Sequence, residues 1–369
     1  MNKILNDQAY MAEALRLAAQ GLYTTRSNPR VGCVIVKQQQ IIGCGFHVSP
    51  GNPHAEVMAL ENISESAEGA TVYVSLEPCA HHGKTAPCAE ALVNAKVSRV
   101  VTAITDPNPL VNGKGIKLLK SNNIDTTSDV LAAEAEELNK GFFKRITKAR
   151  PYITVKSGIS LDGKTSLATG ESKWITSEEA RTDVQKLRAR SCAVMTGIDT
   201  VIADDPNLTV RLDKDVLGIA NSIAQPKRVV LDTELRISEN AKILQVPEEV
   251  IIYTCAEKNK KYTFLENSGI EVIQVKSSNH IDLNFVLSDL ATRGINEVLV
   301  EAGPTLVGSL LADALVDELI VYMAPHIMGH SSNGLANLDM IQTMQDRIEL
   351  EICQSRKVGT NLKLQLKPK

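Results

Sequence analysis

Four residues in the first quarter of the chain are of the types that bind and use a catalytic metal. His54 and Glu56 stand in a His-Ala-Glu triplet, Cys79 follows Pro78, and Cys88 comes further along the chain. One His and two Cys supply three zinc ligands and leave the fourth tetrahedral position open to water, as in catalytic sites. Zinc lowers the pKa of such a water to about 7. Glu56 is then placed to take the water's proton and pass it to a leaving amine.

The spacing of these residues matches one known signature only in part. Zinc nucleobase deaminases carry H-x-E followed by P-C-x-x-C. Here the first half matches, but the second is stretched between Cys79 and Cys88. The insert contains His81 and His82, and either could supply a fourth ligand and close the site. On spacing alone, a structural zinc therefore stays open beside the catalytic one.

A second candidate site lies in the C-terminal half. Residues 296–309 predict a strand, a tight glycine turn and a helix. A helix N-terminus presents free N–H groups and the positive end of the helix dipole to a phosphate. The segment lacks a GxGxxG pattern, so these residues alone do not distinguish a cofactor site from an ordinary turn.

The elements that position these residues alternate between strand and helix patterns in the first half of the chain. A helix with Met11, Leu15 and Ala18 on one face comes first. Predicted strands cover residues 31–36, 71–75 and 100–103, and predicted helices cover residues 55–62, 89–95, 115–121 and 131–140. This alternation predicts a layered α/β domain.

The second half repeats the alternation after a basic connector at residues 140–151, which ends at Pro151. Predicted strands cover residues 193–196, 228–231, 250–253, 272–275, 298–300 and 319–323, and predicted helices cover residues 177–189, 283–293 and 305–315. Ser177 is a predicted N-cap, with Glu178 and Glu179 complementing the helix dipole. We place the domain boundary near residue 148, which gives domains 1–148 and 149–369.

Composition limits the class of protein. A length of 369 residues favours two domains, and 43% hydrophobic with 22% charged residues is typical of a globular chain. A net charge of -3 disfavours nucleic acid as a partner. No signal peptide and no apolar run long enough for a membrane span is evident. Seven cysteines without a framework-like spacing favour a reducing compartment, so we expect a cytoplasmic protein.

Both halves resemble the family of bifunctional riboflavin-biosynthesis deaminase/reductases. Residues 80–87 are similar to the family's PC-x-HHGKTPPC segment, with Ala86 in place of the first proline of the pair. The other matching segments are residues 28–36, 43–47, 51–56, 106–109, 156–164, 170–176, 203–211 and 300–304. The resemblance covers nearly the whole chain. It implies a cytidine-deaminase-like α/β/α N-terminal domain and a dihydrofolate-reductase-like α/β C-terminal domain.

For the first domain, the resemblance implies that His54, Cys79 and Cys88 bind Zn²⁺ and that Glu56 moves the proton. The substrate would be a diaminopyrimidinone carrying a 5-phosphoribosylamino group. Its ring and ribose phosphate would be contacted by Asn28, His47, His81 and Lys84. The lysine is a suitable cation for the phosphate.

For the second domain, the resemblance implies that NADPH donates a hydride to the ribose C1′ of the deaminated product, giving a ribityl chain. Substrate contacts would come from Ser172, Arg188, Leu208, Arg211 and Glu301, with the two arginines suited to the 5′-phosphate. The cofactor would contact Gly158, Trp174, Thr200, Asp204, Thr233, Gly303, Pro304, Thr305, Leu306, Val307, Gly308 and Ser309. The proton donor stays open among Lys156, Asp204 and Glu301, and a homo-oligomer is expected from the family.

Two other functions are compatible with parts of this sequence. A zinc deaminase could act on a free nucleoside or a tRNA base, with the second domain as a binding unit. The near-neutral charge disfavours tRNA, and Arg188 and Arg211 favour a phosphorylated small molecule. A zinc-stabilised scaffold is the alternative from another class, and the presence of the complete ligand set with Glu56 weakens it.

Overall fold

The computed structural model describes residues 3–80, 87–172, 174–220, 223–276 and 280–369. The chain divides into two compact units, Met1–Ala149 and Arg150–Lys369. Each unit has hydrophobic clusters of its own, on both faces of its sheet. Within the described ranges, every helix is too short or too polar to cross a membrane.

The first unit contains six α-helices and five strands among its described residues. The helices are α1 (Lys3–Ala18), α2 (Ala55–Glu61), α3 (Cys88–Asn94), α4 (Lys114–Ser121), α5 (Ala132–Leu138) and α6 (Lys140–Lys148). The strands are β1 (Gly32–Lys37), β2 (Gln40–Phe46), β3 (Thr71–Val74), β4 (Arg99–Thr102) and β5 (Asp125–Thr127).

The sheet of the first unit has the order β2-β1-β3-β4-β5, in which β3, β4 and β5 are parallel. Successive side chains of a strand point to opposite faces, so one apolar strand supplies two cores. On β1, Val34 packs with α1 and α5, whereas Ile35 packs with α2, α3 and α4. The resulting three layers confirm the predicted α/β/α arrangement.

The basic connector predicted at residues 140–151 is helical as far as Lys148. Phe142 is buried, and the guanidinium of Arg145 lies 5.8 Å from the centre of its ring. Ala149 ends the helix in the left-handed region, with a φ of 51°. Basic residues dominate the composition of α6, so composition alone does not predict that one side of this helix is apolar.

The second unit is built on a larger sheet. Its strands are β6 (Tyr152–Ser160), β7 (Lys164–Ser166), β8 (Ala193–Gly197), β9 (Lys227–Leu231), β10 (Val250–Thr254), β11 (Glu271–Gln274), β12 (Glu297–Val300), β13 (Glu318–Ala324), β14 (Asn333–Gly334), β15 (Leu350–Val358) and β16 (Asn361–Pro368). Its helices are α7 (Glu178–Arg190), α8 (Ile198–Asp204), α9 (Lys214–Leu217), α10 (Lys260–Asn267), α11 (Leu283–Thr292) and α12 (Pro304–Ala312).

The nine-stranded sheet has the order β11-β10-β9-β8-β12-β6-β13-β16-β15. The first seven strands in this order are parallel, β16 is antiparallel to β13, and β15 is antiparallel to β16. Ligands of open parallel sheets bind beyond the carboxyl ends of the strands. The predicted N-cap is confirmed, since the Ser177 hydroxyl accepts the N–H of Ala180 at the start of α7.

Candidate active sites

The three predicted zinc ligands converge in the first unit. His54 is the residue before α2, Cys88 is the first residue of α3, and Cys79 follows β3. The imidazole Nδ1 of His54 lies 3.2 Å from the sulfur of Cys88 and 3.6 Å from the sulfur of Cys79. All three ligand atoms lie within 4.8 Å of one another, and two helix starts and one strand end hold them there.

The chemistry of this donor set suits zinc. The thiol of Cys88 donates toward Cys79 and lowers the pKa of Cys79 to about 4, and the hydrogen bonds from His54 and from the backbone N–H of Cys88 act in the same direction. The same contact with Cys79 raises the pKa of Cys88. The hydrogen bond to Cys79 also raises the pKa of His54, against the effect of burial. Two sulfurs, one already favoured as thiolate, and one imidazole form a tetrahedral zinc set with an open position.

Glu56 lies in the first turn of α2, two residues after His54, and only 3% of it is exposed. Burial raises its pKa to about 7, and the negative charge of Cys79 adds to the effect. A carboxyl group with a pKa near neutrality can both take and give a proton. The structure therefore places an acid–base group beside the three ligands.

Asn28 and His47 lie next to this cluster and contact each other. The Asn28 amide Nδ2 is 2.9 Å from His47 Nε2, and His47 Nδ1 is 3.1 Å from the carbonyl oxygen of Pro53. The His47 ring stands edge-on to the His54 ring at 5.6 Å. Burial lowers the pKa of His47. The predicted contacts at His81 and Lys84 lie outside the described residues, as does the alternative ligand His82.

In the second unit, Glu301 is the centre of a buried charge cluster. It follows β12, and its carboxylate contacts Lys156 Nζ of β6 at 3.0 Å and Arg188 Nε of α7 at 2.5 Å. Burial by itself would raise the pKa of Glu301, but the two cations outweigh burial and hold the pKa well below its ordinary value. Glu301 is therefore an anion with two fixed cationic partners.

The two arginines predicted to bind the 5′-phosphate have different surroundings. Arg188 is buried, with Glu301 on Nε and on one terminal nitrogen and the carbonyl oxygen of Thr209 on the other. Arg211 is exposed, and its backbone N–H donates to the side chain of Gln185. Leu208 lies between the two arginines in sequence, and its side chain is buried in the core. Of the two arginines, Arg211 is the one accessible to a phosphate.

Predicted cofactor residues line the carboxyl edge of the central strands. Gly303 precedes α12 and faces Thr200 of α8, because a Cβ on Gly303 would lie 4.0 Å from the Thr200 hydroxyl. A Cβ on Gly308 would lie 2.0 Å from the carbonyl oxygen of Asn337, so only glycine fits there. The contact at Gly158 is looser, since a Cβ there would lie 2.9 Å from the side-chain methyl group of Thr176. Within α12, Gly308 and Val307 face the core, whereas Thr305 and Ser309 are exposed.

The remaining predicted residues of this site lie on loops at the same edge. The Ser172 hydroxyl donates to Asp204 at 3.2 Å, at the end of α8. Trp174 is 76% exposed, and the guanidinium of Arg181 lies 4.5 Å from its ring centre. The carbonyl oxygen of Thr233, just after β9, accepts from Cys255 N–H. These positions leave the edge of the sheet accessible to a ligand.

Sequence reasoning missed one buried acid near the zinc ligands. Glu77 is 3% exposed and accepts hydrogen bonds from four backbone N–H groups of residues 106–116. Acidic residues are rarely buried without several partners. An acid three residues after the apolar run of β3 was the available signal, but its partners lie 29 to 39 positions away and have no common pattern.

The first unit has the layered fold and the ligand set of a zinc-dependent deaminase. The second unit is built on a parallel sheet whose carboxyl edge has the features of a dinucleotide-binding site. A family profile described as "Cytidine and deoxycytidylate deaminase zinc-binding region" matches residues 5–104. A profile described as "RibD C-terminal domain" matches residues 151–364. The chain belongs to the RibD family of riboflavin-biosynthesis proteins.

Similar proteins span the full chain. "Riboflavin biosynthesis protein RibD" of Escherichia coli is 45% identical over 98% of this chain and 99% of its own length. The structure of Acinetobacter baumannii RibD has a TM-score of 0.92 at 44% identity, with all of both chains covered. The structure of a Thermotoga maritima protein has a TM-score of 0.87 at 30% identity, and this match covers all of both chains. That protein is described as a diaminohydroxyphosphoribosylaminopyrimidine deaminase/5-amino-6-(5-phosphoribosylamino)uracil reductase.

The predicted family, fold class and activity are therefore confirmed. The chain is a bifunctional deaminase/reductase of riboflavin biosynthesis that acts on small molecules. Its cytidine-deaminase-like domain uses zinc, and its dihydrofolate-reductase-like domain uses NADPH. The roles of individual residues stay predictions that rest on the geometry above.

Proposed function

We propose that the first unit deaminates 2,5-diamino-6-(5-phosphoribosylamino)pyrimidin-4(3H)-one and that His54, Cys79 and Cys88 hold the zinc. The observation that carries this proposal is the convergence of the three ligand atoms within 4.8 Å, with Glu56 buried beside them. When bound, zinc activates a water for attack on the amine-bearing ring carbon. Release of ammonia from this ribotide, and none from a free nucleoside, tests the assignment.

The side chains around the ligands have distinct tasks. The Glu56 carboxylate takes the proton of the attacking water and delivers it to the departing amine. Asn28 and His47 act as one unit, because Asn28 donates to Nε2 while Nδ1 of the imidazole faces the Pro53 carbonyl. Burial keeps the imidazole neutral, and this pairing fixes its orientation toward the ring of the substrate. By family resemblance, His81 and Lys84 complete the contacts.

We propose that the second unit reduces the deaminated ribotide to 5-amino-6-(5-phosphoribitylamino)uracil. Lys156, the fifth residue of β6, is held at 3.0 Å by Glu301 just beyond the end of β12, and it is the cation proposed to face the sugar oxygen. Arg188 neutralises Glu301 from the other side and keeps it in place. Ser172 and the exposed Arg211 are the proposed side-chain contacts to the substrate. Leu208 would contact it only through its backbone, because its side chain is buried in the core.

NADPH is the hydride donor, and the described edge fits it. The turn before α12 brings backbone N–H groups to the surface, and its glycine lies against Thr200 with no side chain between them. A nine-residue helix with free N–H groups at its start suits an anionic diphosphate. The proposed cofactor residues are Gly158, Trp174, Thr200, Asp204, Thr233, Gly303 and the first residues of α12 (Pro304, Thr305, Leu306, Val307, Gly308, Ser309). Of these, Val307 and Gly308 face the core, so they would shape the start of the helix and not contact the cofactor with a side chain.

We further propose a homo-oligomer working in the cytoplasm, with a domain boundary near residue 148. The family resemblance supports the oligomer, and the seven cysteines without a disulfide-like spacing support a reducing compartment. The matching of one family profile up to residue 104 and of the other from residue 151 supports the boundary.

Replacing Arg211 by Ala should raise the KM for the deaminated ribotide about 10- to 100-fold, since a charge-assisted hydrogen bond contributes about 1.5–3 kcal/mol. The KM for NADPH should change much less, because this exposed guanidinium is assigned to the substrate phosphate. Steady-state reduction with each substrate varied in turn measures both constants. Arg347→Ala, an exposed arginine of the same unit, is the control. A larger rise in the NADPH KM would refute the phosphate assignment.

A further inference from the structure

The buried carboxylate of Glu77 ties two separate segments of the first unit together. One oxygen accepts the N–H groups of Asp106 and Gly113, at 3.3 and 2.9 Å. The other accepts those of Gly115 and Ile116, at 3.0 and 3.2 Å. A carboxylate has about four lone-pair positions, so all of them are used. Every one of these donors belongs to the loop and first turn that lead into α4.

The start of α4 has no N-cap side chain of its own, because the residue before the helix is Gly113. The first N–H groups of a helix have no partner within the helix and favour a negative charge. Glu77 supplies both the acceptor and the charge from a distant segment. The start of α4 is therefore ordered by Glu77.

The other end of this connection is a zinc ligand. Glu77 is separated from Cys79 only by Pro78, whose ring restricts the backbone between them. The carbonyl oxygen of Pro78 packs against Gly115 so closely that a Cβ there would lie 2.0 Å away. Beyond Pro78, the carbonyl oxygen of Cys79 accepts the N–H of Ala89. The segment that carries the thiol is thus held between the α4 loop and the start of α3.

We propose that Glu77 is a positioning residue of the deaminase site, which fixes the thiol of Cys79 for zinc by binding the 106–116 loop to the end of β3. This inference rests on the proposed role of Cys79 as a ligand. Groups that orient metal ligands typically change metal affinity 10- to 100-fold when they are removed. Glu77 acts through the backbone and touches neither metal nor substrate.

The first test is the zinc affinity of Glu77→Gln, measured on the full chain by competition with a chromophoric chelator. The amide keeps one accepting oxygen, so two N–H groups of the loop lose their acceptor and face an NH₂ group. We expect zinc to bind about 10- to 100-fold more weakly. Binding equal to that of the unmodified chain would overturn the proposal.

Asp7→Asn is the matched control. Asp7 is also a buried acid with several donors, Tyr73 and Arg99 among them. It lies on α1, whereas α2 and α3 pack on the opposite face of the sheet. The same change of oxygen to NH₂ should lower the melting temperature and leave zinc affinity unchanged. An equal loss of affinity in both variants would show that general destabilisation is the cause and would overturn the proposal.

A second measurement uses the unmodified chain and needs no variant. Coupling between two sites is reciprocal, so zinc must stabilise the loop by the same factor by which the loop favours zinc. In the unmodified chain, zinc should slow hydrogen exchange of the amides of Gly113, Gly115 and Ile116 by at least tenfold relative to the chelator-treated chain. Equal exchange rates would overturn the proposal. If the unmodified chain bound no zinc at all, the assignment of Cys79 itself would fail instead.

Discussion

Replacing Glu56 by Gln should reduce ammonia release by about 10²- to 10⁴-fold, the range that positioned acid–base groups contribute. The amide fills the same buried space in the first turn of α2 but can neither take a proton nor deliver one. His54, Cys79 and Cys88 are untouched, so the variant should still bind one zinc per chain. Ammonia assays at saturating zinc, together with metal analysis of the purified variant, measure the two quantities.

Glu61→Gln is the matched control for this result, since Glu61 is an exposed residue of the same helix. It should keep full deaminase activity. Reduction of already deaminated substrate should be unchanged in both variants, because the reductase residues lie in the other unit. Undiminished ammonia release from Glu56→Gln would remove Glu56 from the mechanism.

Replacing Glu301 by Gln should destabilise the second unit by about 3–5 kcal/mol, the usual cost of removing one partner from a buried ion pair. Arg188, which is buried on α7, and Lys156 would lose the carboxylate that neutralises them. Chemical denaturation, followed by hydrogen exchange of peptides from residues 150–369, measures the free energy of unfolding of this unit. Reduction should also fail, because the ammonium group of Lys156 would lose the carboxylate that holds it in place.

Glu271→Gln provides the comparison within the same unit. Its partner Arg293 forms an ion pair in which both side chains are partly exposed, and such pairs contribute about 0–1 kcal/mol. A loss from Glu301→Gln no larger than the loss from Glu271→Gln would show that the buried cluster does not stabilise the unit.

The stabilising effect of Glu301 should also depend on pH. A carboxyl whose pKa is lowered by folding stabilises the folded chain above the pKa of the unfolded state, about 4.3 for Glu. As the pH falls below that value, the unfolded state takes up a proton that the folded state does not, and the contribution is lost. The difference in unfolding free energy between the unmodified chain and Glu301→Gln should therefore be full at pH 7 and shrink in acid.

The periodicity of apolar residues was enough to predict most of the parallel core. The strands β8, β9, β10, β12 and β13 are buried on both faces and appear in the sequence as continuous apolar runs. By contrast, eight of the nine residues of β15 are exposed, so no apolar pattern marks this strand. Its position is set by pairing with β16, a contact that the local sequence does not contain.

The candidate sites divide in the same way. His54, Glu56, Cys79 and Cys88 could be named from the sequence because metal chemistry restricts the residue types and their order. The burial of Arg188 against Glu301 could not, since the two residues lie on different elements more than a hundred positions apart. Glu77 could not be named from the sequence either, because its partners are backbone N–H groups of a distant segment, and every residue type except proline has such a group.

One experiment tests whether this chain carries out deamination and then reduction. The purified, zinc-loaded chain is given the diaminopyrimidinone ribotide, and NADPH oxidation and ammonia are measured in the same tube. We expect both signals, with ammonia appearing first, and we expect NADPH oxidation to vanish in Glu56→Gln because no deaminated substrate is then formed. Ammonia without NADPH oxidation would contradict the reductase assignment. The absence of both signals would contradict the two-step account as a whole.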